Sequence, residues 1–518
     1  MPTVVTRLAD ETAYLGAVLR SGLLRPGHPR VAAAAARAVR AEGPLGVTLA
    51  LPLARHPGRV AVVDDAGATT YAELDARADA AARAWQARGV RAGDKVGLLA
   101  RNHAGFLAAV VAATRLGVRL VLLNAEFARP QLDEVAAREG VRLLVADDDL
   151  LPGAGAPLGR LTTRPQAGLP GGPLPAPAEH ASIVILTSGT TGTPKGARRQ
   201  QPRGLATLGG LLSAVPLRAG GTTVICAPLF HALGLTHAVL ASALGTTIVL
   251  CRRFDPVVAL NDLADRRATG LIAVPIMLRR ILDAHDEEGG AADLSQLRVV
   301  FVAGSQLGGA LATRALETLG DVVYNLYGST EVAYATVASP ADLRAAPACV
   351  GRVVRGARVR VVDDADADVP AGVTGRIFVG NALPFEGYTG GGGKEQLDGL
   401  LATGDVGHFD TAGRLTIDGR DDDMIVSGGE NVFPSEVEEV LAAHPGIADA
   451  AVVGVPDDEF GARLRAFVVV RPGAALDADD VRAAVRDRLA RFKTPRDVVF
   501  LDELPRNPTG KVLTRDLV

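Results

Sequence analysis

Apolar positions along this chain alternate between two periods. From residue 68 to 147 a helical stripe and short buried runs follow one another. A helix runs from Tyr71 through Trp85, with Thr69 or Thr70 as its cap, and 95–100 is a buried strand. The apolar helix 104–116, strand 119–123, helix 130–139 and strand 141–146 complete a βαβαβ series, which predicts a parallel sheet. Residues 151–178 are rich in Pro, Gly and Ala and read as a loop, and the alternation resumes from 182 to about 330. From 346 to 418 the runs shorten, as in 350–362 and 375–379, and Asp/Gly turns separate them, which predicts a small β-subdomain. Beyond 423, strands (450–454, 465–470) and helices (435–443, 479–491) form an α+β module. The charge run Arg420, Asp421, Asp422, Asp423 sits at the junction.

The expected fold is therefore α/β: a large N-terminal domain (1–420) of two parallel-sheet αβ subdomains plus the β-subdomain, followed by a mobile α+β C-terminal domain (421–518). The 518 residues exceed what one hydrophobic core supports. A hydrophobic content of 48% supplies ample material for several.

Residues 219–251 carry no charged side chain apart from His231 and His237, long enough to raise the question of a membrane span. Gly220, Gly221, Pro228, Gly234 and Gly245 break the run into strand, loop, helix and strand, which is the better reading. No secretory signal is visible, because Arg37 interrupts the alanine run at 32–36. The segment 12–40, with Arg20, Arg25, Arg30 and Arg37, reads as a peripheral helix with a solvated arginine face; an interfacial helix on anionic lipid is the alternative. Net charge of −3 argues against nucleic acid as a partner. Cys226, Cys251 and Cys349 form no CxxC pair, so neither a disulfide framework nor a zinc site is expected, and the cytoplasm is the expected compartment.

Lysine is scarce: of 55 Lys plus Arg, only Lys95, Lys195, Lys394, Lys493 and Lys511 are lysine. Where any cation serves, the chain carries arginine, so a retained lysine marks a need for a compact point charge. Lys95 and Lys394 fit ordinary surface positions. Lys195 and Lys511 do not. Lys195 closes the run Thr187, Ser188, Gly189, Thr190, Thr191, Gly192, Thr193, Pro194, Lys195, Gly196, after a strand-like stretch at 183–186. Gly, Ser and Thr there let backbone N–H groups approach a ligand and hydroxyls donate to phosphate oxygens. It is not a Walker A loop, which requires Gly-Lys-Ser/Thr.

This run resembles the phosphate-binding loop of the adenylate-forming superfamily, which includes acyl-CoA synthetases, peptide-synthetase adenylation domains and luciferases. Further segments match in order. Tyr327-Gly328-Ser329-Thr330-Glu331 is similar to the aromatic-Gly-x-Thr-Glu motif. Thr403-Gly404-Asp405 and the Gly419-Arg420 hinge segment follow, then the glycines Gly428 and Gly429, then Pro508-Thr509-Gly510-Lys511. The closest look is that of bacterial fatty-acid–CoA ligases.

The resemblance implies ATP, Mg²⁺ and CoA as co-substrates and cofactors, and a role for each motif. Ser188 to Lys195 would hold the β- and γ-phosphates, Thr330 the α-phosphate, and Glu331 the Mg²⁺. Tyr327, with Gly328 beside it, would lie on adenine, with Asn325 at its edge. Asp405 would accept from the ribose hydroxyls and Arg420 would add a donor. Lys511 would sit between the attacking carboxylate and the α-phosphate. Asp422 would be the hinge on which the C-terminal module swings, and Gly428 and Gly429 would then admit the pantetheine arm. His231 would gate an acyl pocket lined by Ala303, Gly304, Ser305, Ala333, Tyr334 and Ala335, small and uncharged residues that disfavour amino acids.

An apolar acid is expected, a medium- or long-chain fatty acid before an aryl or phenylpropenoid acid. The acceptor is CoA, with an acyl carrier protein as the alternative; a non-catalytic nucleotide-binding protein is the third reading. Two departures stand out: Asp398-Gly399-Leu400-Leu401 replaces the common Asp-Gly-Trp, and the loop 390–394 is unusually glycine-rich.

Overall fold

A computed structural model describes residues 4–24, 29–150, 159–164, 174, 176–186, 195–199, 206–381, 383, 385–389, 391–421, 424–427, 430–457, 461–508 and 510–517. The chain divides into two compact units, one of residues 1–302 with 382–393 and one of 303–381 with 394–518.

The first unit contains the predicted βαβαβ series. Strand Lys95–Leu99 lies between Arg119–Leu123 and Leu143–Ala146, all parallel, and Ser182–Leu186 extends the sheet beyond Arg119–Leu123. The helix Tyr71–Ala87 starts where the sequence placed it. The Thr70 hydroxyl accepts from the Glu73 amide at 3.2 Å while the Glu73 carboxylate accepts from the Thr70 amide at 2.7 Å, so two otherwise orphaned donors are satisfied. Tyr71 and Trp85 on this helix are fully buried, and the Tyr71 hydroxyl donates to the Thr246 carbonyl at 2.8 Å.

A second sheet of this unit runs in the order Val299–Val302, Gly270–Ala273, Thr222–Ile225, Thr247–Leu250, Val60–Asp64, Gly67–Thr70, parallel except for the last hairpin. The charge-poor segment 219–251 supplies two of these strands and the helix Ala232–Ala243 between them, as its glycine punctuation indicated. Among the described residues, no helix is long and apolar enough to cross a membrane.

Three local expectations change. The N-terminal segment is two helices, Val4–Ser21 and Pro29–Glu42, where one was expected; Gly22, with φ of 77°, follows the first. The stretch read as a loop contains a strand, Gly159–Thr162, paired parallel with Leu143–Ala146. It adds to a sheet edge, a partner that local composition does not reveal. Phe385–Tyr388, inside the expected β-subdomain, instead pairs antiparallel with Gly196–Arg199 of the first unit.

The second unit is mainly antiparallel. Val323–Tyr327, Thr336–Ala338 and Arg352–Val353 form one ladder. Arg358–Val362, Gly375–Gly380 and Leu400–Phe409 form another, with Leu415–Arg420 on the far side of Leu400–Phe409. The C-terminal module has the strands Ile447–Asp457, Gly461–Val470 and Asp497–Phe500, with the helices Pro434–Ala442 and Ala478–Arg486. Its core is Val437, Leu441, Val452, Leu464, Val468, Val481 and Val485.

Candidate active site

The second unit brings several of the expected site residues together around Asp405. Antiparallel pairing sets Asp405 directly opposite Arg420, and the guanidinium reaches the carboxylate at 3.4 Å. The Tyr327 hydroxyl donates to the other carboxylate oxygen at 2.6 Å. Thr403 shapes the approach: its hydroxyl donates to the Ile377 carbonyl at 3.0 Å and accepts from the Asp405 amide at 3.0 Å.

Burial raises the Asp405 pKa above the ordinary carboxylate range. The Tyr327 hydrogen bond and the charges of Arg420, Lys394 and Lys511 pull in the opposite direction. Burial and the nearby carboxylate push the Tyr327 phenol well up, so it remains a donor. This corrects one expectation: Lys394, which fitted an ordinary surface position, donates to the Thr403 carbonyl at 3.1 Å and acts on Asp405.

The turn after Tyr327 explains its glycine. A Cβ at Gly328 would lie 2.2 Å from the Ala333 carbonyl oxygen, so only glycine lets the chain double back here. The Ser329 carbonyl accepts from the Ala333 amide at 2.8 Å and the Tyr327 carbonyl from the Ala335 amide at 2.9 Å. Ala333 adopts φ of 59°. The Ser329 hydroxyl accepts from the Glu331 amide at 3.2 Å and donates to the Glu331 carboxylate at 2.9 Å, so Thr330 and Glu331 lie in a pinned turn. Asn381, which sequence reasoning missed, donates to the carbonyls of Val332 and Tyr334, the latter at 2.9 Å. Asn325 is buried at 3% exposure.

Of the expected pocket residues in this unit, Ala303, Tyr334 and Ala335 are buried, Ser305 and Ala333 are half-buried, and Gly304 is exposed.

Lys511 sits at the end of a closed loop. The Asn507 side chain accepts from the Lys511 amide and the Lys511 carbonyl accepts from the Asn507 amide, each at 2.9 Å. Arg506 donates to the Gly510 carbonyl and, at 2.6 Å, to Asp449, which ties the loop to the strand Ile447–Asp457. Asn507 and Arg506 were also missed, because they act through backbone shape instead of ligand chemistry. Lys493, to which the sequence gave no chemical role, pairs with Glu436.

In the first unit, exposed Lys195 lies 5.6 Å from the Tyr388 ring centroid. Gly196 follows it, and a Cβ there would come within 2.6 Å of Val184 and 2.9 Å of Thr389. His231 is the N-cap of the helix Ala232–Ala243, and its ring packs at 4.6 Å between centroids on Phe230, tilted by 50°. Its Nε2 is buried and has no hydrogen-bond partner among the described residues, and burial pushes its pKa down to about 4, so at neutral pH it is an uncharged imidazole. The expectations for Thr187, Ser188, Gly189, Thr190, Thr191, Gly192 and Thr193, for Asp422, and for Gly428 and Gly429 lie outside the described residues.

Among the described residues no group of three or more His, Cys, Asp or Glu could hold a metal ion by itself. The Glu331 carboxylate offers the hard oxygen that Mg²⁺ takes when substrate phosphates and water supply the remaining ligands. Glu331 would hold the ion, which when bound neutralises charge on the phosphate oxygens.

The sequence model of the AMP-binding enzyme family matches residues 50–389, and that of the AMP-binding enzyme C-terminal domain matches 436–511. A feruloyl-CoA synthase from Amycolatopsis sp is 34% identical over 474 residues, which covers 88% of this chain and 95% of that protein. The fatty acid–[acyl-carrier-protein] ligase ScoC of Streptomyces coeruleorubidus is 32% identical, covering 90% and 94%. Among solved structures, o-succinylbenzoate CoA synthetase from Bacillus subtilis, in complex with its acyl-adenylate intermediate, superimposes with a TM-score of 0.79 at 27% identity. That match covers 91% of this chain and 97% of the other.

Proposed function

The chain belongs to the AMP-binding enzyme family and is an AMP-forming acid–thiol ligase, and from that premise we propose which acid it takes and which residues do the work. The acid is apolar. Its carboxylate oxygen bonds to the α-phosphorus of ATP as the bond to the β-phosphate oxygen breaks, giving acyl-AMP and pyrophosphate. The CoA sulfur then attacks the acyl carbonyl, and the C–O bond breaks to release AMP.

The group that surrounds Asp405 carries this reading. Its carboxylate is raised by burial yet flanked by Tyr327, Arg420, Lys394 and Lys511, a site that gains from further donors such as ribose hydroxyls. Tyr327 and Asn325 take adenine, and Asp405 and Arg420 the ribose. Thr330 takes the α-phosphate. Lys511 neutralises the charge that repels carboxylate from phosphate. The 187–195 loop holds the leaving pyrophosphate. Asp422 is the hinge of a C-terminal domain that starts near residue 421, and Gly428 and Gly429 admit the pantetheine arm.

Two acid classes keep specific support. The phenylpropenoid product named for the Amycolatopsis relative favours an aryl acid. The small, uncharged residues Ala303, Ala333 and Ala335 suit a fatty acid as well, and ScoC, named for fatty acids, also raises a carrier protein as acceptor. Pyrophosphate release and thioester formation over a panel of fatty and aryl acids, with CoA and a holo-carrier protein in parallel, test the proposal. Turnover of aryl acids with CoA supports it. Thioester only on the carrier protein overturns the CoA assignment, and pyrophosphate release from amino acids alone overturns the apolar pocket.

A further inference from the structure

Within the first unit, a side chain that follows a strand of one sheet holds the backbone that leads to His231. Asn102 lies between the strand Lys95–Leu99 and the helix Ala104–Leu116 and is buried. Its Nδ2 donates to the Ala227 carbonyl at 3.1 Å, and its Oδ1 accepts from the Leu229 amide at 2.8 Å. Both ends of the amide are thus used on one short stretch, 125 and 127 residues further along the chain. The adenylation and thioester steps give this residue no part of their own.

The held stretch has little room to move. A Cβ at Gly234, in the first turn of the helix Ala232–Ala243, would lie 2.7 Å from the Ala227 carbonyl oxygen and 2.3 Å from that of Pro228. The Pro228 carbonyl accepts from the His231 amide at 3.1 Å, which closes a turn that ends at His231. Asn102 is itself anchored on both flanks. Arg101 donates its amide to the buried Asp147 carboxylate at 3.1 Å, and His103 donates its Nε2–H to the same group at 2.7 Å. Arg252, just past the strand Thr247–Leu250 of the second sheet, also donates to Asp147, at 3.0 Å. An apolar side chain of the same shape at 102 would leave the Ala227 carbonyl and the Leu229 amide without these bonds.

We propose that Asn102 is a positioning residue: its two hydrogen bonds fix the turn from Ala227 to His231, and through that turn the place of the His231 ring toward the acid. The inference rests on the acid-activating reading above and on the gate role that the resemblance gives His231. Asn102 acts through backbone alone and needs no contact with acid or nucleotide. A misplacement of about 1 Å, caused by a change far from the chemistry, is enough to cost up to about 100-fold.

The test compares wild type with Asn102→Leu, which keeps the shape and removes both bonds, and with Thr70→Ala, which weakens the same unit at its capping box. Pyrophosphate release is read with 4-hydroxycinnamate and dodecanoate as aryl and alkyl probes. Asn102→Leu should raise KM for the acid at least about tenfold and leave KM for ATP within about twofold of wild type. Thr70→Ala should lower stability and move neither KM, as expected where only the amount of folded enzyme changes. An acid KM unchanged in Asn102→Leu, or raised equally in Thr70→Ala, would overturn the proposal.

The His231 ring reports on the turn without any turnover. Burial holds its pKa at about 4, and no charged group among the described residues contributes to that depression. In an NMR titration, wild type and Thr70→Ala should keep this midpoint. Asn102→Leu should move it up toward about 6.5, because a loosened turn lets water reach the ring. A raised midpoint in Asn102→Leu, with no pyrophosphate release from any acid in wild type, would sink acid activation and uphold Asn102 as the clamp on the turn. Turnover with an unmoved midpoint would do the reverse.

Discussion

Lys511 illustrates what a single residue reveals in sequence and what it hides. Its scarcity and its Pro-Thr-Gly-Lys setting pointed to phosphate chemistry. The hydrogen bonds that Asn507 accepts and Arg506 donates to fix its loop carry no such signal, because any residue of suitable shape could close a turn. Lys394 was misjudged for a related reason: its partners Thr403 and Asp405 are brought to it by strand pairing. Lys511→Ala should slow acyl-adenylate formation at least about 100-fold, the scale of losing one donor to a developing charge. Thioester formation from supplied acyl-AMP should stay within about twofold, as separate half-reaction assays would read. Gly328→Ala drives a methyl group into the Ala333 carbonyl and should destabilise the protein by roughly 3 kcal/mol, measured as a denaturation midpoint.

At the scale of elements, the helix–strand alternation from Tyr71 to Ala146 was legible because each element declares its own period and cap. The Thr70–Glu73 capping box is the clearest case, and Thr70→Ala should cost about 1 kcal/mol of unfolding free energy. Gly159–Thr162 and Phe385–Tyr388 were not legible. Each is a strand only because a distant edge, Leu143–Ala146 or Gly196–Arg199, accepts it. The pairing of Asp405 with Arg420 lies between these cases: both motifs were visible, but their apposition comes from the register of two strands.

At the scale of the molecule, the neutral histidines His231, half-buried, and His237, buried, couple stability to pH. Burial lowers the pKa of His231 and of His237 to about 4. In the unfolded chain both titrate near 6.5. Their folded pKa is depressed, so the stability linked to keeping them neutral is fully present above about pH 6.5. It is lost as pH falls through the folded value, because the unfolded chain binds the protons first. Urea midpoints should therefore fall between pH 7.5 and pH 4.5, and His237→Phe should flatten that slope; an equal slope in the variant would contradict the assignment.

The central claim is that the acid's own oxygen becomes bonded to the α-phosphate of ATP. Turnover with a carboxylic acid labelled with ¹⁸O in both oxygens, followed by mass analysis of the nucleotide, tests it most directly. AMP carrying one ¹⁸O, with pyrophosphate unlabelled, is the predicted result. Unlabelled nucleotide with the label in orthophosphate would mean attack at the γ-phosphate, and would contradict the adenylate.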